Sequence, residues 1–506
     1  MNSLVLRRCR VIGDDTLIDV AIGDGRISAV GPRLEMPAAV EEIDLDGRWL
    51  MPGLWDAHVH FTQWARFRGR VDVSGSASAA EVVARLAARV GAAGVGEAAR
   101  ASEVVIGRGF QDALWPDAMT AEALDGAFGN RPVVVISHDL HCVWLNTAAA
   151  SRFGAPHAGV LREDAAFAVQ IALDAETTAA QDDAMLRNAV AAASARGVVG
   201  IRDLEMADNV ETWMERVGAG FNALRVEACI YQPHLAASDA RGMRTGDIAP
   251  GTAGLVTVGA LKVFADGSLN TRTALTHEPY GHGLGDPSVG HAAHSEEGLR
   301  ELLTAARERG LDVALHAIGD AAVTRALDAF EGTGAHGTIE HAQLVRESDL
   351  PRFAKLGIAA SVQPQHAIDD RDVADALWAD RAERAFPYRS LHDAGARLLL
   401  GSDAPVAPLD PWVAIAAAVH RSDDERPAWH PEQRLTVAAA MEASTRVGGA
   451  RGQVARGQVT RGQVARGQVA DVIAVEADPL TAKPAELREM AVALTIVDGR
   501  VTYASS

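Results

Sequence analysis

The sequence predicts an α/β fold, a (β/α)8 TIM barrel with a composite β-sandwich made by both chain ends and a subdomain inserted after barrel strand 1. Two observations predict this fold. From residue 54 onward, short apolar runs alternate with alanine-rich helical segments, which is typical of parallel sheets. Both ends of the 506-residue chain instead consist of short β-type runs joined by turns. A chain of this length is expected to form several domains, or one large barrel with attachments.

The composite β-sandwich is predicted for residues 1–52 together with residues 467–506. The N-terminal part contains the runs "SLVLRRCRVI" and "LIDVAIGDGRISAVG", in which Gly23, Asp24 and Gly25 indicate a hairpin turn. The C-terminal part repeats this style with "ADVIAVEA" and "VALTIVDGRVTYA". We therefore expect the two chain ends to meet in one small domain.

The barrel is predicted for residues 53–450, with its strands in the apolar runs. The predicted strands are 53–61, 197–204, 224–231, 259–267, 311–319, 337–342, 357–365 and 397–403. Their spacing is regular except for a gap of about 135 residues between the first and the second. This gap is predicted to hold an inserted α/β subdomain at residues 70–195. Because the active sites of such barrels lie at the C-terminal ends of the strands, the insertion is expected to supply substrate contacts.

The composition argues against nucleic acid and membranes as partners. The chain carries 48 Lys and Arg against 67 Asp and Glu residues, and this net charge of −19 repels phosphates and anionic lipids. The first residues lack a secretory signal, and no apolar run reaches the length of about 18 residues that spans a bilayer. The cysteines, Cys9, Cys142 and Cys229, fit neither a disulfide framework nor a CxxC motif. We predict a cytoplasmic protein. The sequence leaves open whether it forms a homo-oligomer such as a dimer.

Five of the predicted strands end in residues that can bind a metal ion. These residues are His58, His60, Lys262, His316, His341 and Asp403. Residues two apart in a strand point to the same face, so both histidines of "DAHVH" can face the barrel axis. A lone histidine at a strand end is more often a hydrogen-bonded core residue, and "GSD" alone is usually a turn. Their shared position at one end of strands 1, 4, 5, 6 and 8 predicts a metal site.

Lys262 lies in the apolar run "ALKVF" of a chain with three lysines and 48 − 3 = 45 arginines. A buried lysine beside cations has a lowered pKa and can react as a neutral amine. Carbon dioxide converts such an amine into a carbamate, an anion with two oxygens that can bridge two metal ions. Arginine cannot do this, because its guanidinium does not lose its proton. The alternative is a lysine that reaches water or pairs with Asp266.

Several motifs together resemble the amidohydrolase superfamily. The strand-end motifs are "MPGLWDAHVH", "LKVFADGSLNTRTA", "LHAIGD", "IEHAQ" and "GSDAPV". They resemble the branch of the N-substituted formamide deformylases and other amidohydrolase 3-like metal-dependent hydrolases. Within the inserted region, "GRGFQDALWPD", "RPVVVISHDLHCVWLNTAA" and "GVLRED" are similar to the insertion of that branch. The resemblance implies a (β/α)8 barrel, a composite β-sandwich and one or two divalent metal ions, usually Zn²⁺.

The resemblance also implies a role for each strand-end residue. His58, His60 and Asp403 would hold one metal ion, His316 and His341 the second, and a CO₂-derived carbamate on Lys262 would bridge them. Two such ions lower the pKa of a shared water and polarise the scissile carbonyl. Asp403 is the predicted general base, which passes the proton to the leaving nitrogen, and a role as metal ligand alone is compatible with this one.

Substrate contacts are predicted in two loops. The loop after strand 4 offers Asp266 and Arg272, although these two residues can also pair with each other. The inserted segment "SHDLHCVW" offers His138, Asp139 and Trp144. Trp144 can either stack on a substrate ring or belong to the core of the insertion.

Residues 450–470 contain four copies of a five-residue unit, "ARGQVARGQVTRGQVARGQVA". A period of five matches neither a helix nor a strand. The last two copies resemble the glycine spacing with which this superfamily returns from barrel to sandwich, and the first two resemble an expansion of that loop. Arg-Gly repeats can bind RNA, but a short repeat on an acidic chain favours a surface loop.

These observations predict a metal-dependent amidohydrolase that acts on a small molecule. The expected reaction is hydrolysis of the C–N bond of an amide, an N-formyl or N-acyl amine, or a cyclic amide through a metal-activated hydroxide. The first alternative is a mononuclear deaminase of the same superfamily, which normally lacks the strand-4 lysine. The second is a catalytically inactive binding scaffold, which would lack one of the ligand positions, and none is missing here.

Overall fold

The computed structural model describes residues 3–92, 103–280, 288–445 and 463–505, and these contain three β-sheets. Parts of the predicted domains and of the predicted 450–470 loop fall at 93–102, 281–287 and 446–462, outside the described residues. The terminal sheet is formed by β1 (Leu4–Val11), β2 (Asp14–Gly23), β3 (Arg26–Gly31), β4 (Glu41–Asp44), β5 (Trp49–Pro52), β19 (Val472–Val475), β20 (Val492–Val497) and β21 (Arg500–Ala504).

The second sheet is parallel and forms the barrel. Its strands are β6 (Leu54–Val59), β12 (Val198–Asp203), β13 (Arg225–Tyr231), β14 (Val256–Phe264), β15 (Val313–Ala317), β16 (Gly337–His341), β17 (Ala359–Val362) and β18 (Leu398–Leu400). The first and last strands face each other across a parallel bridge between Val59 and Ala404. The Asp403 backbone N–H also donates to the His58 carbonyl oxygen at 2.7 Å. The predicted TIM barrel is therefore confirmed.

Helices cover the barrel and the other sheets. The α-helices span Phe61–Phe67, Ala79–Ala92, Ala121–Phe128, Thr147–Arg152, Asp164–Asp174, Ala179–Ala195, Asn209–Gly218, Leu235–Arg241, Glu296–Glu308, Asp320–Thr333, Leu350–Leu356, His366–Asp369, Arg371–Leu377, Tyr388–Asp393, Pro411–His420, Val437–Thr445 and Pro484–Arg488. In the part of the chain that the structure describes, no helix combines the length and the apolar character needed to cross a bilayer.

The two chain ends share one sheet and one apolar core, as predicted for the composite domain. Strand β19 pairs antiparallel with β5, which joins the C-terminal strands to the N-terminal ones. Leu6, Val20, Leu50, Val472 and Ile496 belong to the same buried cluster. Burial of such side chains stabilises the joint domain by about 1.5–3 kcal/mol each. The two chain ends meet next to barrel strand β6, where the Gly53 N–H donates to the Asp471 carbonyl oxygen at 3.0 Å.

The third sheet lies between barrel strands β6 and β12 in the sequence. It contains β7 (Val71–Asp72), β8 (Val105–Phe110), β9 (Val133–Ser137), β10 (Cys142–Leu145) and β11 (Gly159–Arg162). Strands β8 and β9 are parallel, whereas β10 and β11 form an antiparallel edge. The turn between β9 and β10 carries His138 and Asp139 to the mouth of the barrel. The fold of the insertion thus positions this turn over the strand ends.

Candidate metal centre

The predicted metal ligands meet in one cavity at the carboxyl ends of the barrel strands. His58, His60, Lys262, His316, His341 and Asp403 all line this cavity, and none is more than 9% exposed. Each follows or ends a parallel strand, so the barrel topology brings them together from distant parts of the sequence. The cavity therefore contains imidazoles, an amine and a carboxylate within a small buried volume.

His58, His60 and Asp403 form the first group of candidate ligands. The Nε2 atoms of His58 and His60 lie 3.4 and 3.5 Å from the same carboxylate oxygen, Asp403 Oδ1. The donor atoms of all three residues lie within 4.8 Å of one another. Two imidazoles and one carboxylate form a donor set typical of catalytic zinc sites, so these residues fit a divalent cation.

A buried carboxylate fixes the orientation of His58. Glu340 Oε2 lies 2.7 Å from His58 Nδ1, and Glu340 itself accepts a hydrogen bond from Arg202 at 3.0 Å. Because a carboxylate held in this way accepts the Nδ1 hydrogen, the lone pair of His58 is on Nε2, facing Asp403. Burial, and then the neighbouring Lys262, lower the pKa of His58 to about 4. His58 is thus a neutral imidazole in the tautomer that a metal ion requires.

His316 and His341 form the opposite side of the cavity. The Nε2 of His316 lies 3.0 Å from the Gly267 carbonyl oxygen, which can only accept, so the lone pair of His316 is on Nδ1. The two rings are 4.4 Å apart, and His341 Nδ1 has no hydrogen-bond partner among the described residues. Burial lowers the pKa of both histidines well below the usual range. Both rings can therefore offer a lone pair to a cation.

Lys262 is buried between these histidines. It is 1% exposed, its Nζ lies 3.4 Å from His58 Nε2, and the ring of Phe264 lies 4.8 Å from the same atom. Burial lowers the pKa of Lys262, which favours the neutral amine. The adjacent Leu261 and Val263 are fully buried in the barrel wall. The Lys262 side chain lies on the other side of the strand and lines the cavity.

Two candidate ligands lie at backbone positions that are uncommon for residues with a side chain. His341 and Asp403 have φ angles of +74° and +58°. Regular alternation would place Glu340 and His341 on opposite faces of β16, yet Glu340 contacts His58 and His341 lines the cavity, because the chain turns at His341. Burial alone would raise the pKa of Asp403, but the surrounding imidazoles, including a hydrogen bond with His60, hold it well below the usual range. Asp403 is therefore ionised.

The structure adds residues that the sequence analysis missed. His366 follows β17, is 5% exposed, and places Nε2 3.9 Å from Asp403 Oδ2. With His341 and Asp403 it forms a second group of candidate ligands. Its sequence signal was its place directly after the predicted strand 357–365, the criterion that identified the other ligands. Glu340 had a signal too, since it is a carboxylate inside a predicted buried strand.

Only some of the predicted substrate contacts lie in the cavity. His138 and Asp139 line it, together with the neighbouring His141. Trp144 instead lies fully buried in the core of the inserted sheet and donates from Nε1 to the Thr120 carbonyl oxygen. Its place in β10, between β9 and β11, corresponds to the second of the two predicted roles, a core tryptophan of the insertion.

Asp266 and Arg272 also differ from the predicted contacts, since neither lines the cavity in the described part of the chain. The carboxylate of Asp266 accepts backbone hydrogen bonds from Leu275, Ile318 and Gly319 at 2.8–3.0 Å. Asp266 therefore fastens the loop after β14 to the loop after β15, which also carries the backbone next to His316.

A (β/α)8 barrel with neutral histidines, a buried lysine and an ionised aspartate at its strand ends defines the class of metal-dependent hydrolases. Comparison with known proteins places the chain more narrowly. It belongs to the amidohydrolase family, whose sequence model matches residues 41–503. The resemblance seen in the sequence is thereby confirmed, and the chain is a hydrolase acting on C–N bonds.

Three similar proteins extend over nearly the whole chain. Amidohydrolase YtcJ of Bacillus subtilis strain 168 is 30% identical over 499 residues, which cover 92% of this chain and 91% of that protein. The N-substituted formamide deformylase of Arthrobacter pascens is 25% identical, covering 96% of this chain and 94% of that protein. An uncharacterized metal-dependent hydrolase from Pyrococcus horikoshii OT3 has a solved structure with a TM-score of 0.76 and 25% identity, covering 96% of this chain and 99% of that chain.

Proposed function

We propose that this protein hydrolyses the C–N bond of a small amide at a centre of two Zn²⁺ ions. N-formyl and N-acyl amines and cyclic amides are the substrates to test. The observation that carries this proposal is the convergence of neutral histidines, an ionised aspartate and a lysine with a lowered pKa in one buried cavity. The similarity to an N-substituted formamide deformylase supports the amide as substrate.

The tautomers decide which atoms would hold each ion. His58 and His60 would offer their Nε2 atoms to one ion, together with Asp403. His316 would offer Nδ1 to the other, together with His341. When bound, divalent ions lower the pKa of a water molecule toward neutrality and polarise a carbonyl group. The ionised Asp403 accepts a proton from the attacking water and delivers it to the nitrogen as the C–N bond breaks.

Lys262 is proposed to bridge the two ions as a carbamate. Its neutral amine adds to the carbon of CO₂ with release of one proton, and the product is an anion with two donor oxygens. An unmodified amine would give the cavity one nitrogen donor beside His58, whereas a carbamate would offer two oxygen donors. The lowered pKa of Lys262 supports this step, because only the neutral amine can add to CO₂.

The test compares the wild type with Lys262→Ala and Lys262→Arg after loading with Zn²⁺ in the presence of bicarbonate. We expect two ions and the added mass of one CO₂ per wild-type chain, and loss of the adduct and of amide hydrolysis in both variants. Short carboxylates such as formate should partly restore Lys262→Ala but not Lys262→Arg, whose side chain fills the space. Amine release from a panel of N-formyl, N-acyl and cyclic amides measures the activity.

One ion per wild-type chain, together with full activity of Lys262→Ala, would instead support the mononuclear deaminase, and ammonia release from amino-substituted rings would identify it. A chain that binds no ion and hydrolyses nothing would support the inactive scaffold.

A cytoplasmic location and a dimer stay predictions, which fractionation of cells and analytical ultracentrifugation test.

A further inference from the structure

His366 has a buried ring nitrogen that faces the cavity without a hydrogen-bond partner. The residue begins the short helix His366–Asp369, and its ring is tilted by 12° from that of His341, with 6.1 Å between the centroids. Its Nε2 has no hydrogen-bond partner among the described residues. Since buried polar groups are normally hydrogen-bonded, such an atom calls for a partner that enters the cavity.

The partner of the other ring nitrogen indicates what His366 offers. Gln343 Nε2 lies 3.4 Å from His366 Nδ1, and an amide NH₂ group can only donate. In the orientation of the Gln343 amide that the structure shows, in which Gln343 Oε1 has no partner among the described residues, Nδ1 accepts and carries the lone pair of the neutral ring. The remaining hydrogen is on Nε2, the atom that faces Asp403 Oδ2 at 3.9 Å.

The backbone holds this donor in a fixed position at the end of β17. The His366 N–H donates to the Gln363 carbonyl oxygen at 3.1 Å, and the hydroxyl of Tyr388 donates to the same oxygen at 3.2 Å. His366 and Tyr388 are both buried, so the segment cannot turn toward solvent without losing these bonds. A donor fixed in advance stabilises developing charge without a cost of reorganisation.

We propose that His366 is a catalytic residue that donates its Nε2 hydrogen to the carbonyl oxygen of the substrate, and that Gln343 is the positioning residue that fixes this tautomer. The inference rests on the proposed amide hydrolysis, in which negative charge grows on that oxygen as water adds to the carbon. The donor then strengthens its bond in the transition state, which raises the rate more than it raises substrate affinity.

The competing role is that of a metal ligand. The donor atoms of His341, His366 and Asp403 lie within 4.8 Å of one another, which a cation could also use. A ligand needs a lone pair on Nε2, whereas the Gln343 amide, as the structure orients it, assigns the single lone pair of the neutral ring to Nδ1. The hydrogen-bond donor is therefore the role that the contacts favour, and the ligand role is an outcome of the experiment below.

The experiment uses the Zn²⁺-loaded 506-residue chain and the variants His366→Ala, His366→Gln and Gln343→Met, with His341→Ala as the control for loss of a ligand. Metal per chain is measured by elemental analysis. Affinity for inorganic phosphate, a tetrahedral anion that resembles the reaction's charged intermediate, is measured by calorimetry. Neither measurement needs turnover, so both decide on His366 even if the amide panel shows no activity.

We expect His366→Ala to keep the metal content of the wild type and to bind phosphate at least about tenfold more weakly. His366→Gln, which keeps a side-chain N–H, should recover part of the affinity. Gln343→Met should also weaken phosphate binding, but not in the His366→Ala background, because Gln343 acts through His366. On an amide that is hydrolysed, kcat of His366→Ala should fall on the order of 100-fold with little change in KM.

Three results would overturn the proposal. A loss of metal from His366→Ala equal to that from His341→Ala would show a ligand. Unchanged phosphate affinity with unchanged kcat would show a packing role. A wild type that binds Zn²⁺ but no phosphate would lack the anion position that the proposal requires.

Discussion

At the scale of single residues, Gly401 determines whether His58 can occupy its position. A Cβ atom at Gly401 would lie 2.7 Å from the His58 backbone nitrogen and 2.8 Å from its Cβ. Atoms at these distances overlap, and the neighbour is backbone rather than the end of a flexible side chain. The strand that carries the ligand would therefore have to move.

Gly401→Ala should displace His58 and weaken Zn²⁺ binding by about 10- to 100-fold, the range seen when the supports of metal ligands are changed. Competition with a fluorescent chelator measures the affinity. The matched control is Gly126→Ala in the helix Ala121–Phe128, where an added Cβ meets no atom within 4 Å. If both variants bind Zn²⁺ like the wild type, the close contact at Gly401 does not control the site.

Single residues also mark how far the sequence could predict the site. Lys262 could be identified because few functions in a buried strand require a lysine and exclude an arginine. Trp144 could not be assigned to either the substrate site or the core, because "SHDLHCVW" does not show where the turn ends and β10 begins. The pairing of His58 with Glu340 was beyond sequence reasoning, since it joins residues 282 positions apart through barrel closure.

At the scale of elements, the turn of the insertion is fastened to the loop after β14. Asp139 Oδ2 accepts from the Ser268 hydroxyl at 2.7 Å, while Oδ1 accepts from Ser137 and from the His141 backbone. Asp139 and Ser268 both line the cavity. This contact connects the two loops that form the wall next to Lys262.

Ser268→Ala should raise KM and lower the free energy of unfolding by about 1–3 kcal/mol, because one carboxylate oxygen of Asp139 loses its partner. Metal content should not change, since neither residue belongs to the candidate ligands. Kinetics on an active amide and urea unfolding test this expectation. In a double-mutant cycle with Asp139→Asn the two effects should be non-additive, and strict additivity would contradict a direct coupling.

The barrel strands were predictable because burial on both faces makes each one an apolar run bounded by glycine or polar residues. The predicted strand 337–342 differs from β16 by one residue, Ala342. The predicted strand 259–267 extends past β14, which ends at Phe264. The loop beyond it is held by the hydrogen bonds that Asp266 accepts from Leu275 in the same loop and from Ile318 and Gly319 after β15, and such distant partners leave no local signal.

At the scale of the whole molecule, Arg225 joins the barrel to the terminal sheet. It begins β13, is 5% exposed, and forms ion pairs with Asp471 at 2.6 Å and Asp498 at 2.8 Å. Asp471 directly precedes β19, and Asp498 lies in the turn between β20 and β21. The ion pairs thus connect the barrel with the part of the chain that returns from it.

Arg225→Met should destabilise the protein by about 3 kcal/mol, because it leaves the buried carboxylate of Asp471 without its cation. The control is Arg389→Met, which removes an exposed pair with Asp393 and should cost less than about 1 kcal/mol. Thermal unfolding followed by circular dichroism compares the two. Equal shifts in both variants would show that the buried pairs do not hold the domains together.

The tail repeat connects the same two domains. Its last copy pairs with the terminal sheet, and Val464 of the third copy packs against the core of that sheet. The Gly467 N–H donates to the Ile27 carbonyl oxygen at 2.8 Å, and the Ile27 N–H donates to the Gln468 carbonyl oxygen at 2.9 Å. Gly467 has a φ angle of +85°, where a residue with a side chain is strained. The final copy therefore acts as an added edge beside β3.

Deletion of residues 451–460 removes two whole units and leaves the sequence that enters β19 unchanged. We expect stability within about 1 kcal/mol of the wild type, because the entropy of closing a loop changes slowly with its length. Gly467→Val should instead destabilise by about 1–2 kcal/mol through its left-handed backbone. Thermal unfolding and metal content of both variants test this. If the deletion lowers stability as much as Gly467→Val does, the early copies are part of the fold rather than an expansion of the loop.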